Sequence, residues 1–266
     1  LRILLTNDDG IAADGLAALR RIAAQLSDDV WVCAPEQEQS GAGRALTLSE
    51  PVRVRQIEAK VFAVSGTPTD CAMIAIQELM PDRRPDLVLS GVNRGQNVAE
   101  SVTLSGTVAG ALQGMAMGVP SIALSQALMR YDEKIVASFD VAEHFGPGLI
   151  QRLLAVGWPE KVILNVNFPP VEVKDVKGVA VTQQGARDHH HLHFQRRTDP
   201  RGRDYFWMGF EGRPSTPPPG SDLEAVFGGN ISVTPLHIDL THRETVAKLQ
   251  GLIGGSPPRL HAGSAE

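Results

Sequence analysis

The chain predicts an α/β fold on an open, mostly parallel sheet, and three observations carry that expectation. Short apolar runs of strand length alternate with amphipathic helical periods from Ile3 to Val166, the signature of repeated strand and helix units. The first run, Leu1 to Thr6, stops abruptly in Asn7, Asp8, Asp9 and Gly10, so charge sits at a strand's carboxyl end, where open parallel sheets bind ligands. With 266 residues, 42% hydrophobic and 21% charged, the composition is that of a soluble globular protein able to bury a large core.

The elements follow in order. Leu16, Leu19, Ile22, Ala23 and Leu26 recur at helical spacing, and Val30 to Ala34 reads as a second strand ending at Pro35. Glu36 to Arg44 is small, polar and without apolar period, a loop long enough to fold over a site. Val52 to Ile57 and Lys60 to Ser65 form a hairpin around Glu58 and Ala59. Gly66-Thr-Pro-Thr-Asp70 opens a helix with Thr67 as N-cap, Pro68 in the first position and Asp70 in the first turn. Its apolar face is Cys71, Ile74, Ala75 and Leu79. A buried strand, Asp86 to Ser90, leads into Gly91-Val-Asn-Arg-Gly-Gln-Asn97, and Ser105 to Gly114 is a small-residue helix suited to close packing. Pro120 to Ser125 is a strand, Ile135 to Leu154 a helix, and Val162 to Val166 the last strand of the alternation.

Beyond Pro169-Pro170 the pattern changes, which divides the chain into a core of residues 1–170 and a β-rich extension of residues 171–266. The extension holds a strand at Val176 to Thr182, a charged turn at Arg196 to Arg203 and an aromatic strand at Tyr205 to Phe210. Pro214 to Gly220 is an extended connection. Segments Asp222 to Phe227 and Ile231 to Leu236 and a helix from Thr241 to Ile253 follow, with a frayed end from Gly254 to Glu266. Strands with unpaired edges and apolar faces pair with another chain, so a homodimer or homotetramer is expected. The competing arrangement buries Phe206 and Trp207 within their own subunit.

Several function classes fall away. A formal charge of -5 without a basic block disfavours binding of a nucleic-acid duplex. No apolar stretch approaches membrane-span length and the N-terminus does not resemble a signal peptide, so a cytoplasmic protein is expected. Cys33 and Cys71 lack metal-like spacing and read as buried free thiols. His189 and His193 are four residues apart in a stretch with no helical character, which reads as a polar loop rather than a zinc motif. Neither a dinucleotide fingerprint nor a Walker sequence is present.

Two stretches carry chemistry. Asp8 and Asp9 repel each other and no Lys or Arg follows until Arg20. One of them as a helix cap needs no neighbour, whereas the pair is held together most simply by a bound cation. Ser105-Gly-Thr107 opens a helix whose free N–H groups and dipole suit an anion. From these residues alone a plain cap is an equal reading, and nearby Asn93 and Asn97 favour the anion site.

Taken together, Thr6-Asn-Asp-Asp-Gly10, Ala34-Pro35 leading to Ser40-Gly41, Gly66 to Cys71, Ser90 to Asn97 and Ser105 to Val108 resemble the ordered motif set of the SurE survival proteins. A weaker likeness runs through Ser232 to Leu240. The resemblance implies a Rossmann-like three-layer α/β/α core with a C-terminal extension used in oligomerisation. It also implies a metal-dependent phosphohydrolase acting on nucleoside 5'- or 3'-monophosphates. Position by position, the implied metal ligands are Asp8, Asp9, Ser40 and Asn93. The implied phosphate contacts are Asn97, Ser105, Gly106 and Thr107, so that Asp8, Asp9, Asn97 and Ser105 carry catalysis. The chain departs from the family's pattern at Val98 to Leu104, where a Gly-rich acidic segment and an aromatic are usual.

These oxygen donors suit one Mg2+ or Mn2+ per subunit better than zinc or copper. A non-catalytic nucleotide- or phosphate-binding module is the alternative, but paired carboxylates beside an anion site repel phosphate unless a cation intervenes.

Overall fold

The computed structural model of the chain describes residues 1–131, 134–188, 192–210 and 215–253. In chain order the elements are β1 (Arg2–Thr6), α1 (Asp14–Ala24), β2 (Asp29–Pro35), β3 (Val54–Glu58), β4 (Val61–Val64), α2 (Pro68–Ile74), β5 (Leu87–Arg94) and α3 (Gly106–Ala116). They continue with β6 (Ser121–Gln126), β7 (Met129–Tyr131), β8 (Lys134–Val136), α4 (Asp140–Val156), β9 (Ile163–Phe168) and β10 (Gly178–Val181). The last are β11 (Leu192–Thr198), β12 (Asp204–Phe210), α5 (Asp222–Phe227), β13 (Asn230–Leu236) and α6 (Arg243–Ile253).

A nine-stranded sheet runs in the order β10-β13-β9-β6-β5-β1-β2-β4-β3. Its pairings are parallel except β13 with β9 and β3 with β4. Strand β1 lies at the centre and is buried on both faces, which is why it reads as an unbroken apolar run. Ile3 and Leu5 point to the layer of α1 and α4, meeting Leu16, Leu19, Ile22, Leu149 and Ile150. Leu4 points the other way, to Cys33, Cys71 and Ile76 on the α2 side. Helix α3 lies on that second face, with Val108 and Ala111 against Ala123 and Ile163. The three-layer α/β/α architecture is therefore as expected.

Helix α3 approaches the sheet closely because one of its faces is glycine. A Cβ on Gly110 would lie 2.8 Å from Ser90 Oγ and 2.9 Å from Thr6 Cγ2, and one on Gly114 would lie 2.5 Å from Ser121 Oγ. Gly110→Ala should therefore destabilise the protein by about 1–3 kcal/mol through overpacking, although alanine is the better helix former. Urea unfolding checks this, and a gain in stability would show that the helix can lift off the sheet.

Several expectations need correction. Strand β5 does not stop at Ser90 but continues to Arg94 through a register shift between Ser90 and Asn93. The helix expected from Ile135 starts at Asp140, because Lys134–Val136 pairs with Met129–Tyr131 as a small hairpin whose local backbone pairing overrides the apolar period. The division at residue 170 does not follow the sheet: β10 and β13 are strands of the main sheet and α5 packs on β13. What projects is the β11–β12 hairpin and α6. Phe194, Phe206, Trp207 and Met208 on that hairpin are each about 60% exposed or more in the single chain, so the competing arrangement that buries Phe206 and Trp207 is not adopted. The charged turn is also shorter than expected, since Arg196 to Thr198 belong to β11. His193 is an exposed strand residue opposite Gly209, while His189 to His191, Pro214 and the tail from Gly254 lie outside the described residues.

Candidate active site at the carboxyl ends of the central strands

The turn after β1 is built by its own polar groups. Asn7 Nδ2 donates to the Gly10 carbonyl at 2.9 Å, and Gly10 adopts a φ of 100° that favours glycine. The Ile11 N–H donates to the Pro35 carbonyl at 2.8 Å and the Gln39 N–H to the Asp8 carbonyl at 2.7 Å, so the loop after β2 is pinned to the aspartate turn. Its far end is held by the helix signature read from the sequence. Thr67 and Asp70 form a reciprocal capping box, Asp70 Oδ2 accepts from the Thr47 hydroxyl at 2.6 Å, and the Thr67 hydroxyl donates to the Ala45 carbonyl at 2.8 Å. One motif thus caps α2 and fastens the loop that carries Ser40.

Asp8 is buried against the start of α3. Its Oδ1 accepts from the Thr107 hydroxyl, and a Cβ on Gly106 would lie 2.7 Å from Asp8 Cβ and 2.9 Å from Oδ2. Burial pushes the Asp8 carboxyl up to about 6; the Thr107 hydroxyl opposes that shift and the Asp9 charge adds to it. Asp9 is half-buried, and its Oδ2 accepts from the Arg94 N–H at 3.2 Å. Burial also raises Asp9, and the Glu38 carboxylate adds to the effect. Neither aspartate forms an ion pair among the described residues.

The other expected residues divide. Asn93 Nδ2 donates to the Gly95 carbonyl at 2.8 Å, and its amide oxygen forms no hydrogen bond among the described residues. The Ser40 hydroxyl is exposed and donates to Glu38 Oε1 at 2.8 Å rather than touching either aspartate. Ser105 caps α3, its Oγ accepting from the Val108 N–H at 3.0 Å. The Thr107 hydroxyl donates to Asp8 Oδ1, which places that carboxylate against the first turn of α3 beside Gly106. Asn97 lies over the ends of β6 and β9, with Nδ2 donating to Ser125 Oγ at 2.9 Å.

Sequence reasoning missed six supporting residues. Glu38 joins the acidic cluster through the loop. Asn165 and Asn167 both contact the Asn97 backbone, and their signal was visible as two asparagines, two residues apart, inside an otherwise apolar strand. Asp222 accepts the Ala99 N–H and the Gly185 N–H, each at 2.9 Å, and Arg187 pairs with Glu100 at 2.8 Å. These contacts hold the Ala99–Thr103 turn.

Among the described residues no three His, Cys, Asp or Glu side chains form a metal cage. A cation here would be held by the two carboxylates with amide and hydroxyl oxygens. That donor set fits a hard divalent ion, and the buried Asp8 and half-buried Asp9 would supply the negative charge.

A family model described as Survival protein SurE matches residues 3–191. The chain belongs to the SurE family. Among relatives, a protein named 5'-nucleotidase SurE from Caulobacter vibrioides (strain NA1000 / CB15N) is 65% identical over 97% of this chain and 98% of its own length. Another so named, from Phenylobacterium zucineum (strain HLK1), is 62% identical over 98% of this chain and 100% of its own. The crystal structure of the SurE protein from Aquifex aeolicus superposes with a TM-score of 0.80 at 37% identity, covering 95% of this chain and 99% of that one. SurE membership agrees with the motif order read from the sequence. Among the described residues no helix is long and apolar enough to cross a membrane.

Proposed function

We propose that this chain is a 5'-nucleotidase, a metal-dependent phosphomonoesterase that releases phosphate from nucleoside 5'-monophosphates and also from 3'-monophosphates. The observation that carries the reading is the buried Asp8 carboxylate, beside Asp9 and without an ion pair, on the N-terminal turn of α3. Asp8, Asp9, the Asn93 amide oxygen and the Ser40 hydroxyl would hold one Mg2+ or Mn2+, with Ser40 leaving Glu38 to do so. Such an ion, when bound, polarises a phosphoryl oxygen and lowers the pKa of a bound water. Asn97 Nδ2 has a second proton beyond the one given to Ser125, and with the Gly106 N–H it can stabilise charge developing on the phosphoryl group. Asp8 is enclosed by Thr107 and Gly106, so Asp9, half-exposed and with Oδ1 free, is the better placed to orient the attacking water. The acidic pair argues against a non-catalytic phosphate-binding module, because these charges repel phosphate in the absence of a cation.

The deciding experiment is phosphate release from a panel of nucleoside 5'- and 3'-monophosphates with and without added Mg2+ or Mn2+. Metal-dependent turnover is expected. Binding without turnover under every metal would leave the binding module as the function.

The same proposal includes a cytoplasmic protein, a reading that the two buried free thiols Cys33 and Cys71 support. It also includes a homodimer or homotetramer assembled through the projecting hairpin, whose exposed Phe206, Trp207 and Met208 need a covering surface. Trp207→Asp should shift the sedimenting species toward monomer. A wild-type chain that is monomeric at high micromolar concentration would end the assembly reading and leave the enzyme reading standing.

A further inference from the structure

The peptide of Asn97 is held by side chains where a neighbouring strand would normally hold it. Asn167 Oδ1 accepts the Asn97 N–H at 2.8 Å and Asn167 Nδ2 donates to the Asn97 carbonyl at 3.2 Å. Asn165 Nδ2 donates to the same carbonyl at 2.8 Å. Asn165, Asn167 and Ser125, which takes the Asn97 side-chain amide, are fully buried on two adjacent central strands. Asparagine is a poor strand former, and Asn165 Oδ1 has no partner among the described residues, an arrangement that core stability alone disfavours. Apolar residues at both positions would make a better strand and would leave Asn97 loose.

We propose that Asn167, assisted by Asn165, is a positioning residue for the reaction: it fixes the Asn97 backbone so that the Asn97 amide is already aimed at the phosphoryl group before substrate arrives. This rests on the reading of Asn97 as a phosphate contact. Donors fixed in advance need no reorganisation in the transition state, which is where their effect on rate arises. The two asparagines differ in a useful way. Asn167 holds both the N–H and the carbonyl of Asn97, whereas Asn165 holds only the carbonyl, although both are buried side chains of one strand face.

The test compares Asn167→Ala, Asn165→Ala and Thr234→Val, the last a buried polar residue of the same sheet that bonds Thr182 and does not touch Asn97. For each, kcat and KM for a nucleoside 5'-monophosphate are measured with urea unfolding and calorimetry of inorganic phosphate and of Mn2+. Asn167→Ala should lower kcat by about thirtyfold or more and weaken phosphate binding, with Mn2+ affinity within about twofold of wild type. Asn165→Ala should lose about fivefold or less in kcat, and Thr234→Val should keep wild-type kinetics whatever its stability. Should Asn167→Ala fail to fold, Asn167→Asp keeps the shape and the acceptor but removes the donor, and a kcat loss of about tenfold is expected of it. Rate losses that simply track stability across the three sites, or wild-type kcat in the Asn167 variants, would overturn the proposal. Asn97→Ala separates the two readings. If it turns over normally, the phosphate role of Asn97 fails and the proposal with it; if it is impaired while Asn167→Ala is normal, only the positioning role fails.

Discussion

Asp8→Asn should lower phosphate release by about a thousandfold and at the same time make the metal-free protein more stable at neutral pH. The two effects have one cause. On the proposed function the Asp8 charge would hold a cation, and it is unwelcome to the fold, since burial raises its pKa from the ordinary 3.8 to about 6. A carboxyl whose folded-state pKa lies above its unfolded one contributes stability that is fully present below about pH 4 and is lost as the pH rises through about 6. The loss amounts to about 3 kcal/mol over that window. Asparagine removes the charge and keeps an oxygen to accept the Thr107 hydroxyl. Urea unfolding in a chelating buffer should therefore show wild type weakening between pH 4 and 7, and Asp8→Asn weakening less, because Asp9 and Asp222, which burial also raises, still titrate in it. Added Mn2+ should stabilise wild type by mass action and the variant little. A variant less stable than wild type at pH 7.5 would mean that the buried carboxylate is already compensated by the fold.

Gly106→Ala is expected to cost both stability and activity, against the usual trend for glycine to alanine in a helix. The new Cβ would meet Asp8 Cβ at 2.7 Å, Oδ2 at 2.9 Å and Cγ at 3.1 Å. Asp8 cannot swing away cheaply, because Thr107 holds Oδ1 and the chain behind it is buried. Overpacking of this kind costs about 1–3 kcal/mol, and displacement of a ligand or donor by a fraction of an ångström lowers rates by about a hundredfold. Gly148→Ala in α4 is the matched control. Nothing among the described residues lies within 4 Å of its would-be Cβ, so it should gain about 0.5–1 kcal/mol from helix propensity and leave turnover unchanged. Unfolding curves and kcat/KM for the two variants decide the matter. Equal stability gains at both positions would show that Asp8 has room to move.

Much of this is legible in the sequence alone, for reasons that are local. The aspartate turn was visible because a buried strand cannot carry Asn7, Asp8 and Asp9 without a purpose at its end. The capping box at Thr67 and Asp70 was visible because its chemistry is confined to four consecutive residues. The helix at Ile135 was misplaced because apolar spacing cannot tell a helix from a short hairpin when the run is brief. The sequence pattern places the C-terminal strands in an appendage because sheet membership depends on distant backbone pairing and leaves no local mark.

By itself the sequence determined the alternation that makes a parallel sheet, the charged end of its first strand and the set of oxygen donors on which the proposed cation and phosphate contacts rest. Tertiary structure alone decided how those groups are shared. It gave Thr107 to Asp8 rather than to the open helix end, turned Ser40 to Glu38, and brought Asn165, Asn167 and Asp222 from far along the chain to fix residues 97 to 99. The physical reason is that each side-chain oxygen or N–H takes the partner that folding brings within about 3 Å of it, and spacing along the chain does not encode that distance.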